Sequence, residues 1–349
     1  MAMTTSLNVA LVGYGFVGKV FHAPLIASVD GLALHSVVSS NAAAVHADFP
    51  DARVSANYED ILADPAVDAV VIATPNTLHA PQAHAALDAG KHVIVDKPFT
   101  VTVADAEAVI AHAERADRVL SVFQNRRYDA DFRTLKGLLA DEALGVVTLF
   151  ESHFDRFRIE VRDRWRERPI PGSGLWYDLG PHLLDQVLQL FGAPLGITAD
   201  LEIHRPGGET DDYFHTVLRY PRLRVILHGS AMMAAHDLRY SVHGTRGSFM
   251  KQGLDTQEDA LKAGRTPGDA MWGHDTRPGT LTSVQGDEFT TRTIAGEPGD
   301  YRLYYAAVRD AMLGIGPNPV PGTEALAVMK LIEMGIESAR THREIALPV

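Results

Sequence analysis

The segment running from Trp176 to Asp185 carries an aspartate, a histidine and a second aspartate, Asp178, His182 and Asp185, spaced at i, i+4 and i+7. On a helix that spacing sets all three on one face, where a buried helix would normally show apolar side chains. An imidazole beside a carboxylate is a device for moving a proton near neutral pH, because the carboxylate fixes the ring tautomer and leaves the other nitrogen to act as base or acid. Taken singly, each residue has an ordinary reading. A lone helical histidine is usually a packing residue, and Asp178 alone would answer a helix N-terminal dipole. Together they point to catalysis or substrate binding at His182. The same spacing can ligate a divalent ion, but the chemistry expected below needs none, and no metal is assigned.

A second reactive group lies upstream. Asp96-Lys97-Pro98 follows the apolar run at residues 92–95. If that run is a strand of an open parallel sheet, Lys97 sits at its carboxyl edge, where such sheets bind ligands. There it can polarise a substrate oxygen or relay a proton; read alone, it is equally a surface lysine in an X-Pro turn.

The cofactor for such chemistry is announced at the N-terminus. Gly13-Tyr14-Gly15-Phe16-Val17-Gly18 is a G-x-G-x-x-G directly after the apolar run at residues 7–12 and directly before a helical pattern. In that context it is a dinucleotide fingerprint. Gly13 allows the tight turn, Gly15 lets backbone approach a pyrophosphate, and Gly18 lets the helix pack close on the strand, with the helix N-terminus facing the phosphate charge. Gly13, Gly15, Phe16, Val17 and Gly18 are therefore the first cofactor-binding candidates. The strand at residues 32–38 ends in Ser39-Ser40-Asn41 with no carboxylate. An acid there would hold the ribose hydroxyls of NAD. Its absence removes repulsion against a 2′-phosphate, although no Arg or Lys is adjacent, and the reading leans to NADP over NAD with Ser39 and Ser40 as contacts. Thr74-Pro75-Asn76 follows the run at residues 67–73 and is another strand-end loop at the ligand edge. Asn76 is a candidate helix cap there, a role compatible with touching cofactor. Thr74, Pro75, Asn76 and His79 join Lys97 as cofactor-side residues.

Behind these loops lie the elements that must position them. The runs at 7–12, 67–73, 92–95 and 119–123 are continuously apolar and rich in β-branched residues, as expected of strands buried on both faces. Helical patterns at 16–28, 41–48, 77–89 and 102–116 alternate with them, the last with Thr102 and Asp105 at its start. The alternation predicts a parallel, doubly wound sheet. Past residue 123 the pattern changes. Residues 146–157 alternate, and strand-like runs follow at 197–204, 212–220, 223–231 and 240–250, which predicts a large, open, mainly antiparallel sheet packed on one face. Residues 262–300 read as loops, and helices near 301–314 and 322–340 close the chain. The expected fold class is thus α/β, with a dinucleotide-binding domain at 1–123 and a substrate-binding and oligomerisation domain at 124–349.

Composition excludes several classes. At 349 residues the chain suits roughly two domains. It has no cysteine, so disulfides, zinc thiolates and iron–sulfur clusters are out. A net charge of −12 argues against nucleic acid. The densest basic run, residues 156–168, is interleaved with Asp155, Glu160, Asp163 and Glu167 and reads as a salt-bridged surface. No apolar run approaches a membrane span and no signal peptide is visible, so a cytoplasmic protein without membrane partners is expected.

The GYGFVG loop, the Lys-Pro after the fifth strand and the Asp-x3-His-x2-Asp helix resemble the Gfo/Idh/MocA oxidoreductases over essentially the whole chain. Phe21-His22-Ala23-Pro24, residues 121–127, Arg164-Trp165-Arg166-Glu167 and Asp212-Tyr213-Phe214-His215 are similar to the NADP-dependent scyllo-inositol dehydrogenase branch. The resemblance implies an N-terminal Rossmann domain, and a C-terminal α/β domain whose open sheet forms a homodimer or homotetramer. It implies Lys97 as the catalytic lysine, with the family's usual Glu-Lys-Pro replaced by Asp96-Lys97-Pro98, and Asp178 with His182 as the catalytic pair. It also implies Asp185, Arg127 and His153 as substrate-binding residues. One departure is that NADP-preferring relatives often carry Arg where this chain has Asn41. The expected function is reversible hydride transfer between nicotinamide and a ring secondary alcohol of a cyclic polyol or sugar, with Lys97 and His182 converging on the nicotinamide. A sugar or glucoside 3-dehydrogenase or aldose oxidoreductase is the alternative. A non-catalytic dinucleotide-binding sensor is the second, and it is disfavoured by the presence of Lys97, Asp178 and His182 together.

Overall fold

Because strands buried on both faces must be apolar throughout, the β-branched runs of the N-terminal third pair with one another. In the computed structural model, which describes residues 6–347, they form a six-stranded parallel sheet. Its strands are β1 (Leu7–Val12), β2 (Leu32–Val38), β3 (Arg53–Ser55), β4 (Ala69–Ile72), β5 (His92–Val95) and β6 (Leu120–Val122), in the order β3-β2-β1-β4-β5-β6. Central β1 and β4 carry Val9 to Val12 and Ala69 to Ile72 essentially out of solvent. This is the doubly wound order, with the switch point between β1 and β4. All strands point one way, so the loops after β1, β2, β4 and β5 emerge at one edge of the sheet. The chain divides into two compact units, and this sheet belongs to the unit made of residues up to 125, 257–272 and 300–326. Gln257 shows how the later segments attach to each other. Its Oε1 accepts from Trp272 Nε1 at 3.1 Å and from the Tyr301 amide at 2.8 Å, while the Tyr304 hydroxyl donates to Ser121 Oγ on β6 at 2.9 Å.

The other unit, residues 126–256, 273–299 and 327 onward, is built on a nine-stranded sheet. Its strands are β7 (Val147–His153), β8 (Gly196–Glu202), β9 (Tyr213–Arg219), β10 (Arg224–Ser230), β11 (Leu238–Gly244), β12 (Gly247–Gln252), β13 (Gly279–Gln285), β14 (Glu288–Ile294) and β15 (Ile345–Ala346), in the order β14-β13-β12-β11-β7-β10-β9-β8-β15. Only β7 and β10 run parallel; the other pairs are antiparallel. Side chains alternate between the faces. Phe150, Phe214, Leu218, Val225, Tyr240 and Val242 are buried on one face. There Phe150 packs on Phe191 and Phe214 on Trp176, at 5.4 and 5.1 Å between ring centroids, both from the helix Leu175–Phe191. Trp176 in turn donates its indole N–H to Ile332 O at 3.0 Å in the helix Gly322–Thr341. Gly180 makes that packing fit: a Cβ there would lie 2.8 Å from the Trp176 ring and 3.1 Å from Ile332.

Three expectations need correction. The run at 240–250 is two strands, β11 and β12, joined by a turn at Thr245-Arg246. The stretch 262–300 is not all loop, since β13 and β14 form a hairpin in it. Periodicity sees neither, because a tight turn does not interrupt alternation and β14 is exposed along almost its whole length. The helix at 16–28 is interrupted: Gly18–His22 is wound as a π-helix before Ala23–Ala27 becomes α. The cap at Thr102 is present, with its hydroxyl oxygen accepting from the Asp105 amide at 3.0 Å.

Candidate active site

The loop after β1 has the shape its glycines demand. Gly13 has φ +98°, and a Cβ there would lie 2.7 Å from Ala73 O. A Cβ on Gly18 would lie 2.0 Å from Gly13 O, so the helix can rest on the loop only without one. Gly15 has nothing within 4 Å of its Cβ position. Two glycines close the turn and the third leaves open space, an arrangement that fits a dinucleotide phosphate. Phe16 is 54% exposed at the lip of the loop, and Val17 is half-buried beside it. Lys19, in the first turn of the helix, pairs with Asp48 at 2.8 Å, and the Tyr14 hydroxyl donates to the same carboxylate at 2.9 Å. After β2, Ser39 is half-buried and Ser40 exposed. Asn41 caps the helix Ala42–Asp48, its side-chain oxygen accepting from the Ala44 amide at 3.0 Å.

The loops after β4 and β5 are tied to each other by His79. Its Nδ1 lies 2.9 Å from Pro98 O and its Nε2 3.0 Å from Thr74 O, with the ring buried. Burial pushes its pKa below the usual histidine value, although Asp96 and these carbonyls oppose the shift. Thr74 donates to Gln82 Oε1 at 2.7 Å. Pro75 is exposed, and buried Asn76 opens a short 3-10 turn that leads into the helix His79–Asp88. Lys97, half-buried, begins a cis Lys97-Pro98 peptide. Asp96 beside it is buried, with Oδ1 3.6 Å from His22 Nε2, and His22 Nδ1 meets the Tyr305 hydroxyl at 2.5 Å. Burial alone would raise the Asp96 pKa. The neighbouring His22, Lys97 and His79 outweigh it and hold the carboxyl below its usual range.

In the other unit, the helix Leu175–Phe191 carries Asp178, His182 and Asp185 as its spacing required. His182 and Asp185 are 5% and 2% exposed, while Asp178 is half-buried. The helix start is fixed by Asp211. Its Oδ2 accepts from the Trp176 amide at 2.6 Å and its backbone carbonyl from the Leu175 amide at 2.8 Å. Gly174, at φ +91°, leaves the room, since a Cβ there would lie 2.0 Å from Asp211 Oδ1. Burial pushes the Asp211 carboxyl up to about 6 despite those hydrogen bonds.

Asp185 faces Arg127 in a two-pronged ion pair, Nη2 to Oδ1 at 2.6 Å and Nε to Oδ2 at 2.8 Å. The structure thus joins two of the expected substrate residues. The third, His153, stands apart from that pair on the opposite face of the sheet, with its ring against Asp155 and His228. Beside the catalytic candidates are two residues that sequence reasoning missed. Arg156 Nη1 lies 3.8 Å from Asp178 Oδ2, and Arg166 Nε lies 3.7 Å from Oδ1. Both belong to the basic run read as surface. That reading holds for Arg168, paired with Asp163 at the exterior. It fails for Glu167, which is buried and bound by Arg164 and by Arg205 from outside the run.

The description "Oxidoreductase family, NAD-binding Rossmann fold" matches residues 7–124, and "Oxidoreductase family, C-terminal alpha/beta domain" matches residues 136–347, both of the Gfo/Idh/MocA group. The chain belongs to the Gfo/Idh/MocA oxidoreductases. Within this family it is 54% identical over 345 residues to the uncharacterised oxidoreductase YdgJ of Escherichia coli K12, covering 99% of this chain and all of the relative. It is 39% identical over 344 residues to the scyllo-inositol 2-dehydrogenase (NADP(+)) IolW of Bacillus subtilis 168, covering 98% and 96%. The solved structure of the YPO2259 oxidoreductase from Yersinia pestis superposes with a TM-score of 0.96 at 51% identity, covering 100% and 99%. A Gfo/Idh/MocA chain is an enzyme of dehydrogenase type with a nicotinamide dinucleotide as its cofactor, and the open cradle at Gly15 is consistent with that group. Among the described residues, no helix is long and apolar enough to cross a membrane.

Proposed function

We propose that this protein is an NADP-dependent dehydrogenase that reversibly oxidises one ring secondary alcohol of a cyclic polyol of the scyllo-inositol type. The observation that carries the reading is the helix Leu175–Phe191, which bears Asp178, His182 and the Arg127-bound Asp185 within about two turns. The relative IolW, by its name, acts on scyllo-inositol with NADP(+). The residues of the loop Gly13 to Gly18, with Ser39, Ser40, Thr74, Pro75 and Asn76, would hold the dinucleotide. When bound, it supplies the acceptor or donor of the hydride.

The chain's own groups move the proton and place the ring. His182 takes the hydroxyl proton during oxidation and returns it during reduction. Asp178 orients the imidazole, and Arg156 and Arg166 hold the Asp178 carboxylate from two sides. Lys97 stabilises the developing alkoxide. Asp185 and Arg127 together offer acceptors and donors to neighbouring hydroxyls, a set suited to a ring that displays several of them.

Initial rates with NADP and NAD against scyllo-inositol, myo-inositol, glucose and a glucoside test the reading. The highest kcat/KM is expected for an inositol with NADP. A glucoside as the best substrate would make the protein a sugar 3-dehydrogenase. Dinucleotide binding without reduction on any of these substrates would make it a sensor.

A further inference from the structure

The face of the nine-stranded sheet opposite Phe150 and Tyr240 carries a row of histidines. His228 on β10 is the register partner of His153 on β7 and of His215 on β9. The ring centroids of His153 and His215 lie 5.2 and 6.0 Å from that of His228. Asp155, two residues past His153, divides its carboxylate between two of them. Oδ1 accepts from His228 Nδ1 at 2.8 Å, and Oδ2 lies 3.3 Å from His153 Nδ1. The side chains of His153, Asp155 and His228 are only 18, 3 and 12% exposed, and their candidate ligand atoms lie within 4.8 Å of one another.

Such a grouping has the makings of a coordination sphere. Nitrogen and oxygen ligands bound at about 2.0–2.2 Å to one tetrahedral ion stand about 3.3–3.6 Å from each other. The His153–Asp155 separation of 3.3 Å is already at that value, and the His228–Asp155 separation of 2.8 Å needs only a small opening to reach it. One carboxylate with two imidazoles is a donor set that suits zinc and its first-row neighbours. The exchange is balanced in protons, because each ring can move its hydrogen from Nδ1 to Nε2 and remain neutral while Nδ1 turns its lone pair to the ion.

We propose that His153, Asp155 and His228 form a site for one divalent transition-metal ion of the zinc type, which pins β7 to β10 and takes no part in the dehydrogenase chemistry. This gives His153 a role different from the substrate contact that the family resemblance implied.

The test uses the full chain, treated with a chelator and dialysed, then titrated with Co2+ and with Zn2+. The expected result is a visible-region Co2+ absorption saturating near one equivalent and displaced by Zn2+. A rise in Tm of about 3–4 °C is expected at a hundredfold excess over Kd. Asp155→Asn and His228→Gln, both close in shape to the originals, should weaken binding by about tenfold or more. His112→Gln should leave it unchanged, although His112 belongs to another histidine pair, with His84 at 2.8 Å. Absence of Co2+ absorption and of any Tm shift in the unsubstituted protein would overturn the proposal without reference to any variant. Equal binding by His228→Gln would do the same.

Discussion

Arg127 grips Asp185 through two parallel hydrogen bonds, Nη2 to Oδ1 at 2.6 Å and Nε to Oδ2 at 2.8 Å, in a site where neither side chain is more than 9% exposed. A fork of this kind fixes the carboxylate plane, which a lysine, acting as a point charge, cannot do. Arg127→Lys should therefore raise the KM for the polyol by about tenfold while changing kcat less. Arg127→Met would strand a buried carboxylate and should cost about 3–5 kcal/mol of stability by denaturant unfolding. An unchanged KM in the lysine variant would remove the pair from substrate recognition.

The glycine loop separates binding from folding. Gly15→Ala adds a methyl where nothing lies within 4 Å. The variant should keep the wild-type Tm and lose roughly tenfold or more in dinucleotide affinity, the equivalent of one charge-assisted hydrogen bond. Gly18→Ala drives its Cβ to 2.0 Å from Gly13 O and should also lower stability, by about 1–3 kcal/mol. Fluorescence titration with NADPH, alongside thermal melts, distinguishes the two cases.

Asp211 makes stability depend on pH in an identifiable direction. Its carboxyl is raised to about 6 in the fold, above the ordinary value of 3.8. The neutral form is therefore the one the fold favours, and its contribution is complete below about pH 4 and lost as pH rises through 6. Asp211→Asn keeps an oxygen for the Trp176 amide and cannot ionise. The stability of this variant relative to wild type should climb by about 2–3 kcal/mol between pH 4 and 7 and then level off. A difference that stays flat over that range would mean that burial does not raise the carboxyl.

Ser39 and Ser40 follow β2, where an acid would favour NAD, and the proposed function puts the cofactor's ribose end against them. Ser40→Asp places a carboxylate on an exposed position of that loop. It should shift the ratio of kcat/KM for NAD over NADP by about tenfold or more towards NAD. An unmoved ratio would show that this loop does not face the 2′ position.

Much of this arrangement was legible in the residues themselves. β4 is apolar throughout, and β1 and β5 are apolar but for Asn8 and His92 near their starts, because both faces are covered, so neither their existence nor their parallel pairing needed tertiary information. The helix Leu175–Phe191 was legible for the opposite reason: polar residues recur where burial demands apolar ones. What stayed hidden depends on contacts between residues distant in sequence. Arg156 and Arg166 looked like surface charge until the fold set them beside Asp178. Asp211 gave no hint that it caps a helix beginning 36 residues earlier, at Leu175. The hairpin of β13 and β14 buries so little of β14 that no hydrophobic pattern marks it.

The central claim is that His182 carries the proton in a redox reaction on a ring alcohol, and the rate of NADP reduction by scyllo-inositol in wild type and in His182→Ala tests it most directly. The account predicts turnover in wild type and a loss of about two orders of magnitude or more in the variant, with NADP affinity within about twofold. Equal turnover in the two proteins, on whichever polyol proves the best substrate, would contradict it.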